Sequence, residues 1–229
     1  MQLVAPGVWQ ITGFPRHAIN AYLTGDTLVD AGTRYFARRI LAAIERHPIA
    51  EVVLTHCHPD HQGSVHQVCQ RLGVPLACHA GDAAAMEGCQ PMAPQSSAIR
   101  LSTRVWAGPP YQVTRVLAEG DIVAAAAVAG ATAAGFQVLH TPGHTPGHVI
   151  FFRESDRVAI VGDVARNMSF VTLRTGLREP PRVFTVDQSE NRRSIRRLAE
   201  LRPATILFGH GPPLYDAAEP LAEFASRLE

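Results

Sequence analysis

The chain has 229 residues, 46% hydrophobic and 18% charged, which supports a sizeable core and excludes long disorder. A net charge of +1 leaves no overall electrostatic footprint for nucleic acid or a membrane surface. The basic residues are all arginine, so Schiff-base lysines, lysine bases and the phosphate-loop lysine are excluded.

In chain order, Met1–Pro6 lacks a basic region followed by an apolar run and a small-residue cleavage site. Short β-prone runs follow at 7–12, 18–24 and 26–30, separated by Gly13 and Gly25, and read as an antiparallel meander. Tyr35, Ile40, Leu41 and Ile44 stand near helical spacing and predict a helix over 34–46. A short apolar strand is expected over 51–55, then a helix from Asp60 to about Leu72, stopped by Gly73 and Pro75. Residues 79–118 carry less regular patterning. Strands are predicted at 122–128, 135–140, 148–153 and 157–161, then an arginine- and proline-rich loop over 164–186. A helix over 187–201, a strand over 204–208 and a helix from Ala217 complete the chain. Helices scattered among strands in both halves predict an α/β fold with two packed sheets and helices outside, a four-layer αββα sandwich forming one domain over 1–229. No apolar stretch reaches the roughly 18 residues that span a bilayer, the run over 122–134 being broken by Gly130. A cytoplasmic protein is expected. Cys57, Cys69, Cys78 and Cys89 form no CxxC pair and are expected to be free thiols.

The segment His56-Cys57-His58-Pro59-Asp60-His61 stands where a strand gives way to a helix. Residues two apart in extended backbone point to the same side, so His56 and His58 can converge on one ion. Asp60 and His61, redirected by the turn, can face a second; Asp60 could equally cap the helix that follows. Three further residues of ligand type occupy turns at strand ends: His144 in Thr141–His148, Asp163 after Gly162, and His210 between Gly209 and Gly211.

In order and spacing these seven residues resemble the motif set of the metallo-β-lactamase superfamily. The resemblance implies the αββα fold and a hydrolase with two divalent metal ions, zinc first, iron or manganese as alternatives. It implies that His56, His58 and His144 hold one metal and that Asp60, His61 and His210 hold the other. Asp163 would bridge them, and a hydroxide held between the ions would be the nucleophile, steadied by Asp60 as the catalytic carboxylate. Asp30 is similar to the family's early strand-end aspartate and is expected to orient a ligand or a loop. His148 is expected in a supporting or core role. His17, His47, His66, His79 and His140 are expected to be bystanders.

Within the superfamily the motif set is closest to glyoxalase II. Pro212 and Pro213 stand where that family keeps a substrate-contacting tyrosine, and the chain runs only from Gly211 to Glu229 beyond His210, too short for its glutathione-gripping helical domain. The expectation is hydrolysis of a small-molecule ester, thioester or lactone, with no nucleic-acid or membrane partner. The alternatives are a mononuclear iron persulfide dioxygenase and an RNase Z-like phosphodiesterase. Arg166 or Arg174 could bind an anionic group of the substrate. Met86, Met92, Trp106 and Tyr111 are expected in the core, with a cavity wall as the alternative.

Overall fold

The first sheet begins as the predicted meander, in which β1 (Gln2–Ala5), β2 (Val8–Thr12), β3 (Asn20–Thr24) and β4 (Thr27–Val29) pair antiparallel in chain order. From there β5 (Glu51–Val53), β6 (Leu76–His79) and β7 (Arg115–Leu117) each add parallel to the strand before them. Parallel addition requires a crossover, and each crossover is helical. α1 (Ala37–Ala43) leads to β5, while α2 (Pro59–Gln62) and α3 (Val65–Leu72) lead to β6. α4 (Ala80–Met86) and α5 (Ser97–Trp106) lead to β7.

The second sheet is built from β8 (Ile122–Val123), β9 (Phe136–His140), β10 (Val149–Arg153) and β11 (Val158–Ile160). After the separate hairpin of β12 (Arg166–Met168) and β13 (Thr175–Arg178), α6 (Gln188–Glu200) crosses over to β14 (Thr205–Leu207), which lies parallel to β11. β15 (Leu214–Tyr215) forms the edge, and α7 (Ala218–Ser226) closes the chain. The structure, a computed structural model, describes residues 1–124 and 135–228. Positions 125–128 of the predicted strand over 122–128 lie outside the described residues.

Side-chain alternation sorts the apolar residues into three layers of contact. Leu28, Val52 and Leu76 face α1 and α3, where they meet Ile40, Val65 and Val68. Their neighbours Val29, Val53 and Ala77 point the other way, onto Val138, Val149, Phe151 and Ile160 of the second sheet. On that sheet's far side Ile150, Phe152 and Ile206 pack against Ile195, Leu198 and Leu221 of the last two helices. The order helix, sheet, sheet, helix is the expected sandwich.

Differences from expectation have local causes. The single helix predicted from Asp60 to Leu72 divides at Gly63, because Gly63 N–H donates to Gly32 O and Ser64 Oγ to Thr33 O rather than within a helix. The irregular stretch over 79–118 contains α4, α5 and β7; Ser96 Oγ accepts from Ile99 N and starts α5, a cap the apolar pattern did not reveal. The arginine-rich loop contains the β12–β13 hairpin. No helix among the described residues is long and apolar enough to cross a membrane.

Phe151 is fully buried between the sheets. Phe151→Ala is expected to destabilise the metal-free protein by about 3–5 kcal/mol in denaturant unfolding. Leu101→Ala, at a position 65% exposed, should shift the same midpoint little. Equal shifts would contradict the layer assignment.

Candidate metal centre

Strand ends deliver the site. β4 runs into Asp30, β5 into His56 through Thr55, β11 into Asp163 and β14 into His210, while the β9–β10 connection carries His144. Hydrogen bonds join the two sheets here: Val149 N–H donates to Thr55 O (2.8 Å), Asn20 N–H to Gly209 O (3.0 Å) and Tyr22 OH to Phe208 O (2.7 Å).

All seven residues singled out in the sequence come together. One atom from each of His56, His58 and His144 lies within 4.8 Å of the others, and the same holds for Asp60, His61 and His210. Asp163 sits between these groups: Oδ1 is 3.4 Å from His61 Nε2, and Oδ2 is 3.7 Å from His144 Nε2 and 3.0 Å from His210 Nε2. A Cβ on Gly209 would fall 2.4 Å from Asp163 Oδ1 and 2.6 Å from His61 Cε1, so the residue before His210 has no room for a side chain.

The partners of each imidazole settle which nitrogen carries its proton. His61 Nδ1–H donates to Asp30 Oδ2 (2.9 Å), and His58 Nε2–H to Ala93 O (2.7 Å). His210 Nδ1–H donates to Ala18 O. Thr55 Oγ1 gives its own proton to Asp30 Oδ2 (2.8 Å), so at 3.1 Å it must accept from His56 Nδ1. Thr185 Oγ1 likewise donates to Pro181 O (3.0 Å) and accepts from His144 Nδ1 (3.3 Å). Lone pairs are thereby left on Nε2 of His56 and His144 and Nδ1 of His58, while Nε2 of His61 and His210 faces the carboxylates and gives up its proton when an ion binds. Nε2 of His56, His61 and His144 and Oδ1 of Asp163 are buried without a hydrogen-bond partner. Such orphaned donors cost free energy unless a cation takes them up, and imidazole with carboxylate is a donor set suited to zinc or iron. The residues fit a metal.

Charge balance agrees. Burial pushes His56 and His144 well below the ordinary histidine range, keeping them neutral. Burial opposes charge on Asp60 and Asp163 as well, yet the neighbouring imidazoles, His210 foremost, hold both carboxylates below their usual range. The reciprocal effect appears on His210, where Asp163 and Asp60 outweigh burial and raise the ring to about 10. The pair of carboxylates demands positive charge nearby. His148, lowered to about 3 by burial, accepts from Asp163 N–H at Nε2 (3.1 Å) and donates to Thr141 Oγ1 (2.9 Å), the supporting role expected of it.

Asp82 escaped the sequence reading. Its buried carboxylate accepts from Cys57 N–H (2.7 Å), Thr145 Oγ1 (2.8 Å) and Gly147 N–H (2.8 Å), tying the His56–His58 turn to the His144 turn. A Gly-Asp pair after a short strand carries no signal of this in one dimension.

His58, Asp60, His144, Asp163 and His210 open into a cavity of about 370 Å³, whose other lining includes Phe14, Ile19, Ile99, Trp106, Phe170 and Phe184. Trp106 thus takes the wall role, while Met86 is in the core and Met92 and Tyr111 pack against it. Neither Arg166 nor Arg174 lines the cavity. Arg166 lies over the Phe170 ring (4.9 Å to its centroid) and donates to Glu179 O, so its neighbour Phe170, rather than the guanidinium, faces inward. Arg174 is exposed on the turn of the β12–β13 hairpin.

Residues 15–210 match the sequence profile of the metallo-beta-lactamase superfamily. The chain is 28% identical to the probable metallo-hydrolase YflN of Bacillus subtilis over 88% of its own length and 81% of that protein's. It is 28% identical to a hydroxyacylglutathione hydrolase of Cereibacter sphaeroides over 83% of this chain, but spans only 58% of that relative. The crystal structure of TTHA1623 in a di-iron-bound form superposes with a TM-score of 0.67 at 29% identity, covering 92% of this chain and 96% of that one.

Asp82→Ala would strand two N–H groups and a hydroxyl. The metal-free variant is expected to lose about 3 kcal/mol in denaturant unfolding, and its metal affinity should fall about 10- to 100-fold by isothermal titration. Unchanged stability would show that the carboxylate does not join the two turns.

Proposed function

The chain belongs to the metallo-β-lactamase superfamily and is a hydrolase of that family, and from this premise we propose that it cleaves a small ester, thioester or lactone at a two-metal site. The observation that carries the reading is the placing of Asp163 between two complete donor triads. In this reading His56, His58 and His144 hold one divalent ion, Asp60, His61 and His210 hold the other, and Asp163 serves both. Bound there, the ions would supply Lewis acidity and the activation of water near neutral pH. Zinc suits the donors, as does iron, the metal named for the similar TTHA1623 structure.

The chain's own residues prepare the reaction. Asp30, Thr55 and Thr185 hold the rings of His61, His56 and His144 with Nδ1 turned away from the cluster, so Nε2 of each already faces the place of an ion. Asp60, with 20% of its side chain exposed, is the cluster carboxylate most open to the cavity and is placed to orient the attacking water. Apolar walls keep bulk water from the reacting centre and strengthen the electrostatics within.

No arginine lines the cavity among the described residues, which supports a neutral small molecule over an anionic one and over a nucleic-acid backbone. Two full triads support two ions over the single iron of a persulfide dioxygenase. Four free cysteines, three of them buried, support a cytoplasmic setting. All of residues 1–229 would serve as one domain.

Metal-reconstituted protein is expected to hold about two ions per chain by elemental analysis and to hydrolyse members of an ester, thioester and lactone panel. Asp163→Ala and His144→Ala should each abolish turnover and lower the bound metal. One iron per chain with oxygen uptake on a persulfide would replace this reading with the dioxygenase.

A further inference from the structure

We infer that the substrate carries a neutral hydrocarbon acyl group seated on Ile99, Trp106 and Phe184, and that Trp106 sets the selectivity for it. The inference rests on the hydrolytic reading above and specifies its substrate.

The cavity's charge comes from the candidate metal cluster, while the remaining wall is aliphatic and aromatic apart from Ser102, whose hydroxyl donates to Ile99 O (3.0 Å). A carboxylate or phosphate in that part would be desolvated with no cation to meet it, whereas each buried methylene contributes favourably. At about 370 Å³ the space holds roughly a dozen non-hydrogen atoms, taking about 30 Å³ for each. Leu101 on α5 is 65% exposed and Val183, the neighbour of Phe184 in the chain, is 52% exposed.

Both walls are fixed to the ligand-bearing turns, as a selectivity element must be. At the end of α5, Arg34 Nε donates to Val105 O (2.9 Å), a terminal nitrogen of Arg34 to Arg104 O (2.7 Å), and Arg34 N–H to Trp106 O (2.8 Å). Two residues on, Gly108 runs so close to Gly63, just past α2, that a Cβ there would lie 2.0 Å from Gly63 O. On the other side Phe184 precedes Thr185, the acceptor for His144 Nδ1, and Ser96 Oγ at the start of α5 donates to Val183 O (2.6 Å). The hydrocarbon seat therefore stands at a set distance from the reacting centre. In the reaction, water oxygen bonds to the acyl carbon, the C–O or C–S bond to the leaving group breaks, and a proton from water goes to that group.

The test compares p-nitrophenyl acetate, butyrate, hexanoate and hemisuccinate as substrates of the metal-reconstituted enzyme. From acetate to hexanoate, kcat/KM should rise by up to about fourfold per methylene, and hemisuccinate should fall at least about tenfold below butyrate. Trp106→Ala should shrink the hexanoate-to-acetate ratio by about tenfold or more, with Trp106→Phe partly restoring it. A flat chain-length series, or hemisuccinate matching butyrate, would overturn the inference while leaving the hydrolase reading intact. Should neither these esters nor the thioester and lactone panel be cleaved, the hydrolytic reading fails and binding decides. In a Trp9→Phe background, where Trp106 is the remaining tryptophan, 2-octanone should change the fluorescence saturably, and no change would overturn the hydrocarbon seat.

Discussion

Asp60 and Asp163 are carboxylates kept ionised below the protein surface, and the arrangement around them supplies what bulk water would otherwise give. Neutral imidazoles with fixed tautomers crowd one side, and imidazoles able to carry charge stand on the other. Such a group of buried polar atoms is costly when left incomplete and strong when completed by a cation. Most of the neighbouring structure can be understood as holding it in that poised condition.

That holding is done from both sheets at once. Asp30, at the end of a strand in the first sheet, fixes His61 directly and His56 through Thr55. Asn20 and Tyr22, on the adjacent strand, reach across to Phe208 O and so set the turn that presents His210. Asp82 then joins the turns that carry the first three imidazoles. The cluster lies at a joint between layers, and its geometry depends on their mutual registration rather than on any single loop.

The sequence disclosed the layers because strand alternation and helix stop signals are local, as at Gly73, where the left-handed φ of 70° closes α3 as expected. It disclosed the seven clustered residues because their side chains are chemically distinctive and sit at strand ends. It was silent on Asp82, Thr185 and Arg34, whose importance arises from partners far away in the chain. It overstated Arg166: a guanidinium beside a candidate ligand suggests anion binding, but the β12–β13 hairpin turns it onto Phe170. It missed α4 and α5 because both are short, α4 is alanine-rich without a periodic apolar face, and their caps are single side chains.

Backbone meets backbone where Gly108 passes Gly63, with no side chain between to absorb adjustment. A side chain is denied at that place. The end of the helix bearing Ile99 and Trp106 is held beside the turn by the three hydrogen bonds from Arg34. Change in the width of the niche is therefore open to exchange of side chains along α5 and closed to any side chain at Gly63 or Gly108.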